Sequence, residues 1–264
     1  MTIQGGTSHD TRRKARVVTG ASSGIGKALM LNLLSEGAKV LAVSRSIEDT
    51  TFAHDNLTKA NLDLSKRSDV RRLFEIALDV FPKIDIFVAN AGFTYYERIR
   101  EADFAHIDDI VELNLTQTMY AAIRMKEING TEPFTFMATL SAVSFLSLPG
   151  YALYSATKAG LRGFMDGFRL EMDKGQVLQS VYPVATRTAF FDRAGQNHKP
   201  WPVQTPEHVA KVMIKALRSG KRHVYPSRLF QVGFKLAPWF FKVYVRREKK
   251  VFDRLIPKEG QDPS

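Results

Sequence analysis

The sequence predicts a doubly wound α/β fold, in which a parallel β-sheet carries helices on both faces. Short apolar runs alternate with longer segments whose apolar residues recur at spacings of three and four, as in amphipathic helices. The short runs are apolar at nearly every position, which is typical of strands buried on both faces. With 264 residues, 44% of them hydrophobic, the chain suits a single large domain.

The predicted elements follow one another closely along the chain. The strands are RVVTG (16–20), KVLAVS (39–44), ANLDLS (60–65), IDIFVANAG (84–92), FTFMATLS (134–141), VLQSVYP (177–183) and HVYP (223–226). The helices cover residues 26–35, 68–80, 104–125 and 155–172. Because the segment 45–59 is short, we expect little helix between the second and third strands. We divide the chain into a polar arm (1–14), a main domain (15–226) and a C-terminal extension (227–264).

Composition excludes several kinds of site. The chain has no cysteine, which excludes disulfides and thiolate nucleophiles. Its six histidines include no pair at the i, i+4 spacing, so we expect no metal site. The first fourteen residues are polar and lack the apolar segment of a secretory signal, so we expect a cytoplasmic location.

A glycine-rich loop, TGASSGIG (19–26), joins the first predicted strand to the first predicted helix. Gly20 permits a sharp turn, Gly24 lets the backbone approach a ligand, and Gly26 permits close packing of helix on strand. The backbone N–H groups at the start of the helix form an anion site suited to a pyrophosphate. This order of strand, loop and helix is that of a Rossmann-like dinucleotide site. The other loop residues expected at the cofactor are Ser22, Ser23 and Ile25.

The tip of the second strand bears on the choice of dinucleotide. NAD-binding proteins carry an acidic residue there for the ribose 2′-hydroxyl, whereas NADP-binding proteins carry an arginine for the 2′-phosphate. This chain has Ser44 followed by Arg45 and no acid. The sequence therefore predicts NADP(H), with NAD(H) less favoured. The alternative interpretation of Arg45 is an ordinary solvated surface residue.

Four further motifs follow the glycine loop. They are ANAG (89–92), Asn114 in ELNL, Ser141, and YSATK (154–158). Together with TGASSGIG, these motifs and their order resemble the short-chain dehydrogenase/reductase family across residues 15–225. The resemblance implies an oxidoreductase that uses a nicotinamide cofactor. A non-enzymatic NADP(H)-binding or sensing protein on the same fold is the alternative.

The spacing of Tyr154 and Lys158 has a chemical meaning of its own. Residues four apart lie on one helix face, and a nearby ammonium favours a phenolate, so we expect Lys158 to lower the pKa of Tyr154. The resemblance implies that Tyr154 exchanges a proton with the substrate oxygen, that Ser141 stabilises that oxygen, and that Lys158 holds the ribose. It also implies that Asn114 bends its helix and fixes a water that relays protons. Tyr151 is expected to line the substrate site.

The resemblance transfers the remaining cofactor contacts position by position. The matching residues are Asp63, Leu64, Asn90, Ala91, Gly92, Pro183, Thr186 and Thr188. The family usually has glycine after Pro183, and the β-branched Val184 found here is expected to reshape the pocket. The substrate cover is expected within 189–202, where Phe190, Phe191 and Trp201 indicate an apolar substrate. Simple packing of this cover is the competing interpretation.

The C-terminal extension is basic and aromatic. From Lys221 onward there are eleven basic and four acidic residues, so residues 221–264 carry a net charge of 11 − 4 = +7 out of the total of +11. Aromatic residues beside the basic cluster 246–250 suit helices at a membrane surface, and one interpretation is a peripheral membrane contact through 228–255. The other is structural, with the apolar faces covering the substrate pocket or a subunit interface. Because no base-reading motif accompanies the charge, we expect no nucleic-acid binding.

These expectations combine into one functional hypothesis. We predict an NADP(H)-dependent oxidoreductase that transfers hydride between the nicotinamide and a carbonyl/alcohol pair, with an apolar ketone or aldehyde as substrate. As the resemblance implies, the chain is expected to form a homodimer or homotetramer through the helices 104–125 and 155–172.

Overall fold

The computed structural model describes residues 14–188, 190, 200–236 and 238–257. In this part of the chain, seven strands form one parallel sheet in the order β3-β2-β1-β4-β5-β6-β7. The strands are β1 (Ala15–Thr19), β2 (Lys39–Ser44), β3 (Leu57–Asn61), β4 (Ile86–Ala89), β5 (Thr135–Thr139), β6 (Val177–Val181) and β7 (His223–Val224). The doubly wound α/β fold predicted from the sequence is confirmed.

The helices lie between the strands and after the last of them. They are α1 (Gly24–Ser35), α2 (Arg67–Val80), α3 (Phe104–Val111), α4 (Gln117–Asn129), α5 (Ala152–Phe168), α6 (Pro206–Ser219), α7 (Arg228–Leu236) and α8 (Pro238–Leu255). A π-helical turn, Glu112–Thr116, joins α3 to α4, and short 3₁₀ turns cover Ala142–Ser144 and Arg169–Glu171. None of the described helices is both long and apolar enough to cross a membrane.

Both faces of the sheet are covered by a hydrophobic core. Helices α1 and α6 supply buried residues to one face, and α2, α4 and α5 supply them to the other. In the second core the ring of Phe87 stacks between those of Phe74 and Phe136, with centroids 5.4 and 5.5 Å away. The nearly continuous apolar character of the strands is thus explained by burial on two faces.

Two boundaries differ from the sequence prediction. The third strand was predicted at 60–65 and is found at Leu57–Asn61. As an edge strand it pairs only with β2 and is largely half-exposed, so it lacks the apolar run used to find the other strands. The single helix predicted at 104–125 is α3 and α4 with a π turn between them. As expected, no helix occurs between β2 and β3.

Hydrogen bonds join the strand ends on the side of the sheet where a ligand would bind. The Thr19 hydroxyl accepts from the backbone N–H groups of Asn90 and Ala91, at 2.9 and 3.0 Å. The Thr139 hydroxyl donates to the side-chain oxygen of Asn90 at 3.1 Å, and Lys158 Nζ donates to the Thr139 carbonyl at 2.9 Å. The order of the strands reverses at β1 and β4, which is where open parallel sheets bind ligands.

Candidate active site

A cavity of about 730 Å³ lies over the carboxyl ends of the strands. Nearly all of the residues predicted for the site line it. They are Gly20, Ser22, Ser23, Gly24, Ile25, Ser44, Arg45, Asp63, Leu64, Asn90, Ala91, Gly92, Ser141, Tyr151, Tyr154, Lys158, Pro183, Thr186, Thr188 and Phe190. Gly26 and Asn114 are not in the lining, and Phe191 lies outside the described residues.

The glycine loop has the geometry that a bound phosphate requires. Gly20 and Gly24 have φ angles of 65° and 55°, which favour glycine. A Cβ atom on Gly26 would lie 2.2 Å from the carbonyl oxygen of Gly20, so this glycine is needed for packing of α1 on β1. Ser23 precedes α1 without capping it through its side chain, and no acidic residue occupies the first turn. The helix therefore presents N–H groups and partial positive charge toward the cavity, which suits an anion.

Arg45 lies at the end of the cavity formed by β2 and β3. It is exposed and lines the cavity beside Ser46. Across the described residues, no ion pair of Arg45 is found. Burial opposes the ionisation of nearby Asp63, but hydrogen bonds from Ser65 and the charge of Arg45 keep its pKa below the ordinary value. A cationic group thus faces the part of the cavity where a ribose phosphate would lie.

Ser141, Tyr154 and Lys158 meet at the end of β5. Ser141 directly precedes a 3₁₀ turn, and its hydroxyl accepts from the N–H of Val143 at 3.3 Å. The Ser141 side chain lies near that of Tyr154 and favours the ionised phenol. Lys158 is 5% exposed, and its Nζ lies 5.8 Å from the centre of the Tyr154 ring. The three side chains therefore share one buried, polar corner of the cavity.

Burial sets the proton affinities of this corner. It raises the pKa of Tyr154 to about 12, against the opposing effect of the Ser141 side chain. It lowers the pKa of Lys158 to about 8. The expectation of a lowered pKa for Tyr154 is therefore wrong. That expectation took account of the ammonium charge of Lys158 but not of the loss of solvation, which has the larger effect on the pKa of Tyr154.

Asn114 lies behind the cavity, inside the π turn. Its side-chain nitrogen donates to the carbonyl of Phe93 at 2.7 Å, and its side-chain oxygen accepts from the N–H of Phe93 at 3.0 Å. A Cβ on Gly92 would lie 2.9 Å from that oxygen, so the turn and the loop after β4 are in close contact. These bonds fix the loop that carries Gly92. The water-binding role of Asn114 stays a prediction.

The substrate end of the cavity combines residues predicted from the sequence with others from the C-terminal helices. The ring of Phe190 lies 5.6 Å from that of Tyr154, and Val184 lines the cavity next to Pro183. The C-terminal helices supply a further group: Leu229, Phe230, Gly233, Trp239, Phe241 and Tyr244. The aromatic content of this segment was a usable signal, but the sequence did not indicate which faces of the helices turn toward the cavity.

Comparison with known proteins assigns the family. The model of the family described as short chain dehydrogenase matches residues 14–199. The chain belongs to this family. An uncharacterized oxidoreductase of Listeria monocytogenes is 26% identical to this short chain dehydrogenase over 227 residues, covering 78% of this chain and 91% of the relative. An uncharacterized oxidoreductase of Staphylococcus aureus is 27% identical over 215 residues, covering 79% of this chain and 92% of its own.

Solved structures of short chain dehydrogenases share the fold. One from Burkholderia cenocepacia, in complex with NADP, has a TM-score of 0.76 at 23% identity and covers 89% of this chain and 98% of its own. One from Sphingobium yanoikuyae, in complex with NADPH, has a TM-score of 0.72 at 22% identity, with coverages of 94% and 98%. One from Burkholderia phymatum, in complex with NAD, has a TM-score of 0.71 at 16% identity, with coverages of 96% and 99%. Both NADP and NAD thus occur among similar folds.

The buried amine of Lys158 makes the stability of the free protein depend on pH. Its pKa is about 8 in the folded protein and 10.5 ordinarily, so the unfolded chain binds more protons between these values. The free energy of unfolding therefore rises with pH in this window. Relative to Lys158→Met, we expect the unmodified protein to gain about 2 kcal/mol between about pH 8 and 9.5, measured by urea unfolding.

The matched control for this experiment is the exposed Lys66→Met. The difference between this variant and the unmodified protein should stay constant over the same pH range. Parallel curves for the Lys158→Met variant and the unmodified protein would contradict the prediction.

Proposed function

We propose that this short chain dehydrogenase is an NADP(H)-dependent oxidoreductase that reduces an apolar ketone or aldehyde to the alcohol. The observation that carries the proposal is the meeting of Ser141, Tyr154 and Lys158 in the same cavity as the glycine loop. A proton donor, an oxygen-binding hydroxyl and a buried amine next to an anion site are the groups that hydride transfer to a carbonyl requires.

The dinucleotide would be held along the strand ends. The glycine loop suits its pyrophosphate, because uncapped N–H groups face the cavity there. The groups proposed for the adenosine half are Ser44, Arg45, Asp63, Leu64, Asn90, Ala91 and Gly92. Those proposed for the nicotinamide half are Tyr154, Lys158, Pro183, Thr186 and Thr188. When bound, the nicotinamide supplies the hydride.

The protein's own residues handle the proton. In the proposed reaction the hydroxyl of Tyr154 donates its proton to the substrate oxygen as the carbonyl carbon is reduced. The hydroxyl of Ser141 donates a hydrogen bond to the same oxygen and stabilises its developing negative charge. Protonated Lys158 favours the phenolate that Tyr154 becomes. The high pKa of Tyr154 keeps it protonated at neutral pH, which suits the direction of carbonyl reduction.

The preference for NADP(H) over NAD(H) is supported by Arg45. Its exposed guanidinium lines the cavity beside Ser46, and it would pair with a 2′-phosphate without first leaving a carboxylate partner. Similar structures contain NADP, NADPH or NAD, so they do not distinguish the two cofactors.

Self-association is proposed through the long helices after β4 and β5. Large apolar side chains are exposed on or next to them: Phe104 is 86%, Ile123 50% and Leu170 87% exposed. A single exposed apolar side chain is ordinary. Three of them on or next to helices that cover the same face of the sheet indicate a surface suited to a second copy of the chain. A homodimer or homotetramer built through these helices would cover them.

A peripheral contact with an anionic membrane is proposed for the outer side of α8. Val243 is 54% exposed, and the exposed cations Lys242, Arg246 and Lys250 lie on the same side of the helix. Exposed apolar residues beside cations are suited to the surface of a bilayer that contains acidic lipids. The location that follows is the cytoplasm, at or near a membrane surface.

Replacing Tyr154 by phenylalanine removes the proposed proton donor. With cyclohexanone or 2-decanone as probe, we expect the rate of NADPH oxidation to fall about 10²- to 10⁴-fold, while NADPH binding is retained. Absorbance of NADPH measures the rate, and energy transfer from tryptophan to the reduced nicotinamide measures binding. Tyr120→Phe, on the exposed side of α4, is the control and should keep full activity. Equal rates in the Tyr154→Phe variant and the unmodified protein would contradict the mechanism.

Replacing Arg45 by alanine tests the choice of cofactor. Loss of a charge-assisted contact to the 2′-phosphate is expected to weaken NADPH binding about 10- to 100-fold and to change NADH binding less than about threefold. The same energy-transfer titration measures both constants. Lys66→Ala removes a neighbouring exposed cation that does not line the cavity, and should change neither. A similar weakening of NADPH and NADH binding would contradict the proposed role of Arg45 in selecting NADP(H).

Vesicle binding tests the membrane contact. The double variant Lys242→Ala/Arg246→Ala is expected to bind vesicles of phosphatidylserine and phosphatidylcholine about 30-fold more weakly than the unmodified protein, because each cation near an acidic surface contributes about 1 kcal/mol. Co-sedimentation measures the difference. The control removes two exposed cations on α2, Arg71→Ala/Arg72→Ala, and should bind normally. Unchanged binding by the first variant would refute the contact.

A further inference from the structure

Helix α8 packs on the main domain through one side. Phe241, Tyr244, Glu248 and Phe252 recur at spacings of three and four, which places them on the same side of the helix. Glu248 is 5% and Phe252 is 6% exposed, whereas Val243 on the opposite side is 54% exposed. The helix therefore has a defined inner side along most of its length.

Arg98, in the loop after β4, contacts the C-terminal end of α8. Its Nη2 donates to Oδ1 of Asp253 and to the carbonyl oxygen of Ile256, at 2.8 Å each. Its guanidinium carbon lies 4.6 Å from the centre of the Phe252 ring. One side chain thus joins α8 to the loop through an ion pair, a backbone hydrogen bond and a cation–π contact.

A series of aromatic contacts leads from the same helix to Tyr154. Phe252 meets Tyr96 edge-on at 5.7 Å, and the Tyr96 ring lies 4.9 Å from that of Tyr151. The Tyr151 ring lies 6.5 Å from that of Tyr154. Gly150 leaves room for this contact, since a Cβ there would lie 2.5 Å from Tyr96. A shift of α8 would therefore change the packing around Tyr151, which lines the cavity beside Tyr154.

Glu248 makes the position of α8 specific. A buried carboxylate is stable only where polar groups surround it. Burial, and after it the charge of Glu248, raises the pKa of Tyr96 to about 12 and also raises the pKa of Tyr244. Burial, with a smaller effect of Glu248, raises the pKa of Tyr151. Glu248 is therefore near these three phenols, on the inner side of α8.

Helix α8 and the preceding helix, α7, line the cavity beside Tyr151 and Tyr154. The lining side chains of α8 are Trp239, Phe241 and Tyr244, and those of α7 include Leu229 and Phe230. All five lie beyond residues 14–199, which the family model matches. The polar groups on these five side chains are the Tyr244 hydroxyl and the Trp239 indole N–H, so the wall suits hydrocarbon and offers little to a charged group.

We infer that α7 and α8 form a wall of the substrate site, that Tyr244 favours substrates with a long hydrocarbon chain, and that Arg98 is a positioning residue that holds this wall. The inference rests on the proposed function and specifies its substrate class. The reacting carbonyl lies at Tyr154, and the hydrocarbon chain extends along Phe241 and Tyr244. A short or compact ketone reaches Tyr154 without touching α8.

The first experiment compares two ketones in the full-length protein with NADPH. For Tyr244→Ala we expect the KM for 2-decanone to rise about tenfold, because a large buried contact with the chain is lost, whereas kcat and KM for cyclohexanone change less than about twofold. Val243→Ala, on the outer side of α8, is the control and should resemble the unmodified protein. Equal effects on the two ketones, no effect, or a lower KM for 2-decanone would overturn the inference.

Binding without turnover separates this inference from the proposed function. In Trp201→Phe, Trp239 is the single remaining tryptophan, because the chain has two. With NADP⁺ bound, 2-decanone is expected to change the emission of Trp239. If NADP⁺ binds but 2-decanone does not change the emission of Trp239, the inferred substrate wall is refuted, whereas the proposed cofactor site is not. Failure to bind either NADPH or NADP⁺ would instead reject the proposed function.

The role of Arg98 is tested by a pair of variants. We expect Arg98→Ala to raise the KM for 2-decanone about fivefold and to leave kcat for cyclohexanone unchanged, with partial rescue in Arg98→Lys, which restores a cation opposite Asp253. Asp253→Asn removes the same ion pair from the helix side and should reproduce the effect. A uniform loss of activity toward both ketones in these variants, or no change in either, would overturn the positioning role.

Discussion

The site depends on a line of hydrogen bonds across the ends of three strands. It runs from the Thr19 hydroxyl to the backbone of Asn90, from the Asn90 side chain to Thr139, and from the Thr139 carbonyl to Lys158. Each member comes from a different part of the chain, so the spacing of the strands fixes the distance from the glycine loop to the buried amine. The glycine-loop half and the Tyr154 half of the cavity are in this way parts of one network.

The balance between burial and charge decides the chemistry at Tyr154. In water, an ammonium next to a phenol would favour the phenolate, but here both groups have lost most of their solvation. Each is consequently stabilised in its neutral form, the phenol with a raised pKa and the amine with a lowered one. A site of this kind holds its proton until a further polar or charged group enters. Reactivity then depends on what occupies the cavity as well as on the residues around it.

Much of this arrangement was predictable from the sequence, because its signals are local. The glycine loop and the spacing of Tyr154 and Lys158 depend on residues a few positions apart, and all but one of the strands were found nearly in place from their apolar runs. The exception, β3, lies at the edge of the sheet and is only partly buried, so its composition resembles that of a loop. The direction of the pKa shift of Tyr154 was wrong because burial is a property of the whole fold. The contact of Arg98 with Asp253 spans 155 positions and has no local signature.

The composition of the cavity has a consequence for how such a protein can diverge. The glycine-loop end is assembled from many separate segments between Gly20 and Thr188, most of them at the ends of strands. The wall formed by the C-terminal helices comes instead from one continuous stretch, 229–244, that follows the last strand. Insertions, exchanges or whole replacements in that stretch leave the strand order untouched. Variation in the lining of the cavity can therefore be confined to one end of the gene while the glycine loop and the residues around Tyr154 stay unchanged.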